Sequence, residues 1–334
     1  MNFYEGKDIL VTGGAGSIGS QIVKELTKFN PKRIRILDQN ETAQFFLQQS
    51  LREHENIRYF IGSITNKEKV RWAMKGVDIV FHCAALKHVP SCEYNPSEAV
   101  LTNIIGLMHT IDAAKEHDIE KFIYISTDKA VNPSNIMGTS KLLGEKLVNN
   151  ASSGETKTKF ATVRFGNVLD SNGSVIPLFK KQVKEEENIT VTHKDMTRFF
   201  MTIKSAAKLV LETAQQTNGR QTFILKMPAF RIIDLAEVLA EELPKKYYKP
   251  KPNVNIIGVR PGEKLHEVLL TEEEASIINE TEHSLVLNQQ LITPHCISLT
   301  EPKNNVDKSK YDSSKANLLT KDQIKDMLAS EKII

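Results

Sequence analysis

Ile9-Leu10-Val11-Thr12-Gly13-Gly14-Ala15-Gly16-Ser17-Ile18-Gly19 decides the fold of this 334-residue chain. A short apolar run reads as a strand, glycines recur at positions 13, 16 and 19, and the stretch Ser17–Phe29 reads as a helix. Glycine at this spacing lets the backbone turn tightly, approach a pyrophosphate and pack the helix onto the sheet. The first helical N–H groups, those of Ser17 and Ile18 among them, then face the phosphates. A glycine triplet alone is weak, because ordinary tight turns use glycine too. Here the strand before, the helix after and an acid (Asp38) at the end of the next apolar run agree on a dinucleotide site.

Outward from that turn, apolar runs at Ile9–Val11, Ile34–Leu37, Arg58–Ile61, Ile79–Phe81 and Phe122–Ile125 alternate with helical patterns. The helical patterns cover roughly Glu41–Glu53, Lys67–Met74, Pro96–His117 and Met137–Asn150. Strands separated by helix-length crossovers predict an α/β fold with a doubly wound, Rossmann-type parallel sheet. Residues 1–165 are assigned to the NAD-binding domain, with later segments contributing. Residues 166–334 are assigned mainly to a smaller, discontinuous C-terminal lobe and an extension. In that second part Ala161–Arg164 leads in as a core strand, and helices are expected at Ile176–Glu186, Lys204–Thr213, Ile233–Leu243 and Lys321–Ala329. Ser152–Glu155 and the basic, proline-rich Pro244–Pro252 read as loops, Ile256–Val259 as a strand, and the chain from Lys303 as a polar tail.

Asp38 would accept hydrogen bonds from ribose hydroxyls and repel a 2′-phosphate, and Gln39 offers no cation to neutralise one. NAD is therefore expected, with NADP as the second candidate; capping a helix is the plain alternative role for Asp38. Ser63 and Ile64 end the third strand beside the adenine position, and Ala84 ends the fourth, leaving room for the cofactor. The composition fits a soluble globular protein: 40% hydrophobic, 25% charged, net charge +3. That charge is too small to argue for nucleic acid. No secretory segment or run of ~20 apolar residues is present, so a cytoplasmic protein away from membranes is expected. Three cysteines (Cys83, Cys92, Cys296) show no metal spacing, and no metal is expected.

Ser126-Thr127-Asp128-Lys129 follows the strand Phe122–Ile125, and Lys141 falls one turn into the next helix. A carboxylate and two amines thus converge beside the cofactor turn. A surface ion pair is the bland alternative for the first two. Lys87 and His88, after the fourth strand, are within reach of the same region.

Taken in order, these residues resemble the extended short-chain dehydrogenases, and within them the UDP-N-acetylglucosamine 4,6-dehydratases. The resemblance is carried by Thr12–Gly19, Ala84–Pro90, Ser126–Ala130, Met137–Lys141, Arg164–Val168, Met196–Phe199 and Arg260–Glu267. It implies that Asp128 and Lys129 are the catalytic acid and base and Lys141 the cofactor-orienting lysine; Thr127, by its own chemistry, suits a proton relay better than a base, with Lys141 or a bound water as the other routes for the C4 hydroxyl proton of the sugar. It also implies a UDP-N-acetylglucosamine site using Lys87, Asn167, Arg198, Arg260 and Glu263, and a homo-oligomer, dimer or hexamer, formed through helices flanking the sheet. Guanidinium groups suit phosphate because they bond its oxygens in pairs. Met137 stands where the family's tyrosine usually does, and it cannot act as a base. Filling apolar space is the role expected of it.

The implied reaction is water loss across C5 and C6 of the hexose after transient oxidation at C4, with inversion at C5 favoured over retention. A C4-epimerase would share the cofactor and nucleotide sites but has no need of an adjacent acid–base pair. A non-catalytic NAD sensor or scaffold is the rival of a different class. The acid–base roles require both Asp128 and Lys129 neutral, which burial favours. Otherwise the two side chains point to different sides of the sugar and never pair.

Overall fold

The computed structural model describes residues 2–152, 156–288, 292–293, 296–297 and 307–334. In the first half β1 (Asp8–Thr12), α1 (Ser17–Leu26), β2 (Arg33–Asp38), α2 (Glu41–Ser50), β3 (Ile57–Ile61), α3 (Lys67–Met74) and β4 (Ile79–His82) alternate as the periodicity requires. They lead into α4 (Val89–Tyr94), α5 (Pro96–Val100), α6 (Leu107–Glu116), β5 (Lys121–Ile125), α7 (Ile136–Ala151) and β6 (Lys159–Arg164). Every residue of β1 and β4 is buried, as expected of strands covered by helices on both faces.

The second half contributes β7 (Asn167–Val168), α8 (Val175–Lys184), β8 (Ile189–Val191), β9 (Thr197–Met201), α9 (Ile203–Gln216), β10 (Gln221–Leu225), β11 (Ala229–Arg231) and α10 (Ile232–Tyr247). Then follow β12 (Val254–Ile256), α11 (Glu272–Ser276), β13 (Ile278–Glu280), β14 (Ser284–Asn288) and α12 (Lys321–Ser330). Nine strands form one sheet in the order β13-β14-β10-β6-β5-β4-β1-β2-β3. β10 joins β6 in parallel, and β14 and β13 finish that edge antiparallel. The large sheet thus recruits three strands from beyond residue 220.

β1 lies between β2 and β4, so the strand order reverses there. Helices leave the sheet on opposite faces at such a point, and a crevice opens at the carboxyl ends of the strands. A second core, beside that end of the sheet, gathers α8, α10, α12 and the small sheet β11-β9-β7. Phe200 and Phe230 stack within it, ring centres 4.2 Å apart.

Three expectations shift. The helix expected over Pro96–His117 is interrupted by a π-helical segment, Leu101–Gly106. The helix ending at Leu243 runs through Pro244 to Tyr247. A proline that far inside a helix has no N–H to give, but α12 packs its Ile324 and Leu328 against Leu239 and Leu243, and Lys246 Nζ reaches the carbonyls of Lys332 and Ile333. The strand expected at Ile256–Val259 lies earlier, at Val254–Ile256, paired with β8. Gly258 at φ +91° turns the chain out of it. Of the expected loop at Ser152–Glu155, residues 153–155 lie outside the described residues, as do residues 303–306 of the polar tail.

Candidate active site

A cleft of about 600 Å³ opens at the strand-order reversal. Its floor is the glycine turn. Gly13 has φ +65°, and a Cβ there would stand 2.6 Å from the backbone nitrogen of Ala84. At Gly19 a Cβ would meet the carbonyl oxygen of Gly13 at 2.3 Å. These glycines therefore hold β1, β4 and α1 at a separation no side chain permits. Gly16 caps α1 with no side-chain bond, so the first N–H groups of that helix are left for an anion. Ser17, Ile18, Asp38, Ser63, Ile64 and Ala84 line the same cleft.

Asp38 accepts from the N–H of Ala15 at 3.0 Å and of Asn40 at 2.9 Å. The cap of α2 is Asn40, not Asp38. Each Asp38 oxygen keeps a lone pair for a ribose hydroxyl, and the residues present fit a dinucleotide. Ser63 is engaged in a local turn with Thr65. From the far wall, the loop after β7 reaches across, and the Asn172 N–H donates to Ser17 Oγ at 3.0 Å.

Deeper in the cleft, Lys141 Nζ donates to the Ile125 carbonyl at 2.7 Å and sits 4.6 Å from the Tyr124 ring centre. Burial pushes its ammonium down to about 8, against opposing pulls from Cys83 and Glu145. Asn103 explains the π-helical segment: its amide brackets Leu86, accepting from the N–H at 2.8 Å and donating to the carbonyl at 3.0 Å, and also donates to Ser140 Oγ. Such a bulge turns one side chain toward a site that a regular helix would miss. Nothing in the hydrophobic period announces it. Met137 lines the cleft and packs on Cys92 and Ala99, filling apolar space as expected of it.

Asp128 and Lys129 do pair, Nζ to Oδ1 at 3.0 Å, which excludes the arrangement in which they point apart. Thr127 Oγ1 donates to the same Asp128 oxygen at 2.8 Å, and Asn167 Oδ1 accepts from Lys129 at 3.3 Å. Thr127, Lys129 and Asn167 line the cleft; Asp128 is fully buried behind them. Its Oδ2 has no hydrogen-bond partner among the described residues, and it comes so close to Gly166 that a Cβ there would stand 3.1 Å away. The expectation that burial neutralises Lys129 is corrected. Burial does pull the ammonium down, but Asp128 and Glu267 outweigh it, and the net shift is upward.

Glu267 is the residue the sequence reading missed as a site group. It is buried, 3.4 Å from Lys129 Nζ and 3.8 Å from Arg198 Nε. Its only sequence signal was membership of the Arg260–Glu267 segment.

Of the residues expected on the substrate, Lys87 and Asn167 line the cleft, and burial lowers the Lys87 ammonium. Arg198, Arg260 and Glu263 do not. Arg198 is buried, and its guanidinium donates to the carbonyls of Thr197, Lys264 and Leu265. Glu263 lies 3.8 Å from Arg198, and Arg260 is exposed on the turn that follows Gly258. The His88 ring lies against Gly173, in the loop that reaches over the cleft.

A family model described as polysaccharide biosynthesis protein matches residues 9–289. An uncharacterized membrane protein of Methanocaldococcus jannaschii is 53% identical over 331 residues, 98% of this chain and 96% of the relative. Among the described residues here, no helix is long and apolar enough to cross a membrane. A UDP-N-acetylglucosamine 4,6-dehydratase (inverting) of Campylobacter jejuni is 39% identical over 292 residues, 86% of this chain and 84% of that one. A UDP-glucose 4-epimerase of Rickettsia bellii is 41% identical over 274 residues, covering 80% and 79%. The X-ray structure of Pen from Bacillus thuringiensis superposes with a TM-score of 0.92 at 39% identity, over 99% of both chains.

Proposed function

The chain belongs to the polysaccharide biosynthesis protein family, and we propose that it is an NAD-dependent UDP-N-acetylglucosamine 4,6-dehydratase that inverts C5. The carrying observation is the Asp128–Lys129 pair at the cleft wall, beside a glycine turn and Lys141. The dehydratase of Campylobacter jejuni supports the substrate and the stereochemistry.

The uncapped start of α1 at Ser17, Ile18 and Gly19 would hold the pyrophosphate, Asp38 the adenosine ribose, and Ser63 and Ile64 the adenine side, with Ala84 leaving room for the cofactor backbone. With no arginine beside Asp38, NAD is preferred to NADP. Bound there, the cofactor supplies a hydride acceptor for C4 and a hydride donor for C6. Lys87, Asn167 and the exposed Arg260 are the groups for the UDP-sugar, with Arg198 and Glu263 behind them.

Lys141, partly neutral at physiological pH, can take the C4 hydroxyl proton that Met137 cannot, and Thr127 offers a relay toward Asp128. The ketone at C4 acidifies the C5 hydrogen. The amine of Lys129 takes that proton, and the carboxylic acid of Asp128 protonates the departing C6 hydroxyl. Both roles are opposite in charge to the ion pair. One proton moving from Lys129 Nζ to Asp128 Oδ1, across 3.0 Å, generates both reactive forms together.

The Rickettsia bellii epimerase favours a second reading, C4 epimerisation. Incubation with UDP-N-acetylglucosamine separates the two: dehydration lowers the product mass by one water, epimerisation conserves it. Proton NMR of the product formed in deuterated water is expected to show deuterium at C5 with inverted configuration. A product of unchanged mass overturns the dehydratase reading. Exposed Val100, Leu101, Met108 and Leu143 on the helices flanking the sheet support a homo-oligomer built through that face.

A further inference from the structure

Lys129 is gripped from both ends of the chain. Asp128 belongs to the loop after β5, whereas Glu267 arrives from the segment that follows β12. That segment is tied down onto the Asp128 loop. Lys264 Nζ donates to the Val131 carbonyl at 2.8 Å, and Asn135 Nδ2 to the Gly262 carbonyl at 3.0 Å. Ser313 brackets Glu267 itself: its Oγ accepts from the Glu267 N–H at 2.8 Å, and its N–H donates to the Glu267 carbonyl at 2.9 Å. The backbone of Glu267 is thereby fixed, and its buried side chain is delivered against Lys129.

There the carboxylate is incompletely satisfied. Oε1 faces Lys129 at 3.4 Å and Arg198 at 3.8 Å, and Oε2 is buried without a hydrogen-bond partner among the described residues. Leaving a buried carboxylate oxygen unpaired costs free energy that a packing role would not require. We propose that Glu267 is a positioning residue for Lys129, which fixes where the ammonium sits between two carboxylates and sets how firmly Lys129 holds its proton. This rests on the dehydratase reading, in which Lys129 must release that proton to act at C5.

The groups facing Lys129 are Asp128 and Glu267 directly, Asn167 as a neutral acceptor, and Arg198 and Lys264 as neighbouring cations, with Glu263 beyond Arg198. Glu267 favours the ammonium, and Arg198 weakens that hold. The reactive tautomer, neutral amine with carboxylic acid, carries the same number of protons as the resting ion pair. Activity therefore follows the singly protonated pair, and its alkaline limb reports the loss of the Lys129 proton. Removing the negative charge at 267 moves that limb down in pH; removing the positive charge at 198 moves it up.

The test uses the full-length protein with 13Cε-labelled lysine, the Lys129 signal being assigned by its loss in Lys129→Met. In Glu267→Gln the Lys129 titration midpoint is expected to fall by about one unit or more. The alkaline limb of kcat/KM for water loss falls with it, and Glu267→Asp recovers part of the shift. Arg198→Gln moves the midpoint the other way, which keeps the proposal testable if Glu267→Gln does not fold. An unmoved midpoint in whichever of these variants folds overturns the inference, even where activity drops at every pH, since loss of activity alone is what a structural role gives. A shifted midpoint in a protein that makes no dehydrated product leaves the inference standing and removes the dehydratase reading. An unmoved midpoint in a protein that does dehydrate has the opposite meaning.

Discussion

Two buried charge clusters lie near the carboxyl end of the sheet, and they differ in how completely they are bonded. In the first, Arg164 bonds Glu145 through Nε at 3.1 Å and Nη2 at 2.6 Å. It bonds Glu274 through Nη1 at 2.8 Å and Nη2 at 2.9 Å, and the Leu269 carbonyl at 3.0 Å. Two forked pairs and a carbonyl engage every donor-bearing nitrogen of that guanidinium. The second cluster, Asp128, Lys129, Glu267 and Arg198, contains similar residue types. Among the described residues two of its carboxylate oxygens have no hydrogen-bond partner, and one face is open to the cleft. A saturated cluster staples α7, β6 and α11 together. An unsaturated one keeps capacity for a ligand and for moving a proton. Under the proposed function, the degree of bonding, more than burial or charge, separates scaffold from chemistry.

The sharpest way to break that contrast is to disable each cluster and ask what is lost. Asp128→Asn and Lys129→Met are each expected to lower the rate of water loss by at least about a thousandfold. NAD binding by the folded protein should stay near that of the unaltered protein. Asp128→Asn keeps an oxygen acceptor for Lys129 and should lower the melting temperature less than Lys129→Met, which strands the buried carboxylates of Asp128 and Glu267. Mass spectrometry of the product and calorimetry are the two readouts. Normal turnover in both would make the second cluster mere scaffold. Arg164→Met should do the reverse. It strands the carboxylates of Glu145 and Glu274 and costs about 3–5 kcal/mol of stability, seen in denaturant midpoints. The folded fraction keeps most of its activity.

The smallest effect concerns Lys141, which lies between the two clusters and touches Glu145 electrostatically. Burial lowers its pKa from the ordinary lysine value of 10.5 to about 8. Below about pH 8 the native state therefore binds a proton at a cost of roughly 3 kcal/mol relative to the unfolded chain. Between about 8 and the unfolded value the unfolded chain holds more protons, so stability gains from this group as pH rises. Melting temperatures compared with Lys141→Met across pH 7 to about 10.5 should show the difference between the two proteins shift in favour of the lysine protein as pH rises. A constant difference would mean that Lys141 is not held in the neutral-favouring environment described.

What the sequence disclosed and what it withheld divide along the same line. The glycine turn, Asp38 and the adjacency of Asp128 and Lys129 were readable because their meaning is local: a turn, a strand end, two neighbours on the chain. The doubly wound sheet followed from the alternation of short apolar runs and helical periods. Glu267 was not singled out, because its partnership with Lys129 is built by long-range ties such as that from Lys264 to Val131, 133 positions apart. No period or spacing encodes such a tie. The same holds for Arg198, whose guanidinium faces carbonyls of its own lobe and leaves the cleft to other residues. The continuation of α10 through Pro244 was hidden for a related reason, since the packing of α12 overrides a local breaker. The Asn103 bulge depends on a loop carbonyl that only the folded chain brings near.

The ties from Lys264 and Asn135 across to the opposite segment carry a consequence for how the protein is made. A growing polypeptide that has emerged as far as α7 already owns its glycine turn, Asp38 and Lys141, yet Lys129 still lacks one of its two counter-charges. The glycine turn and Asp38 thus precede both the far wall of the cleft, at Asn167 and Asn172, and the Glu267–Lys129 contact during synthesis.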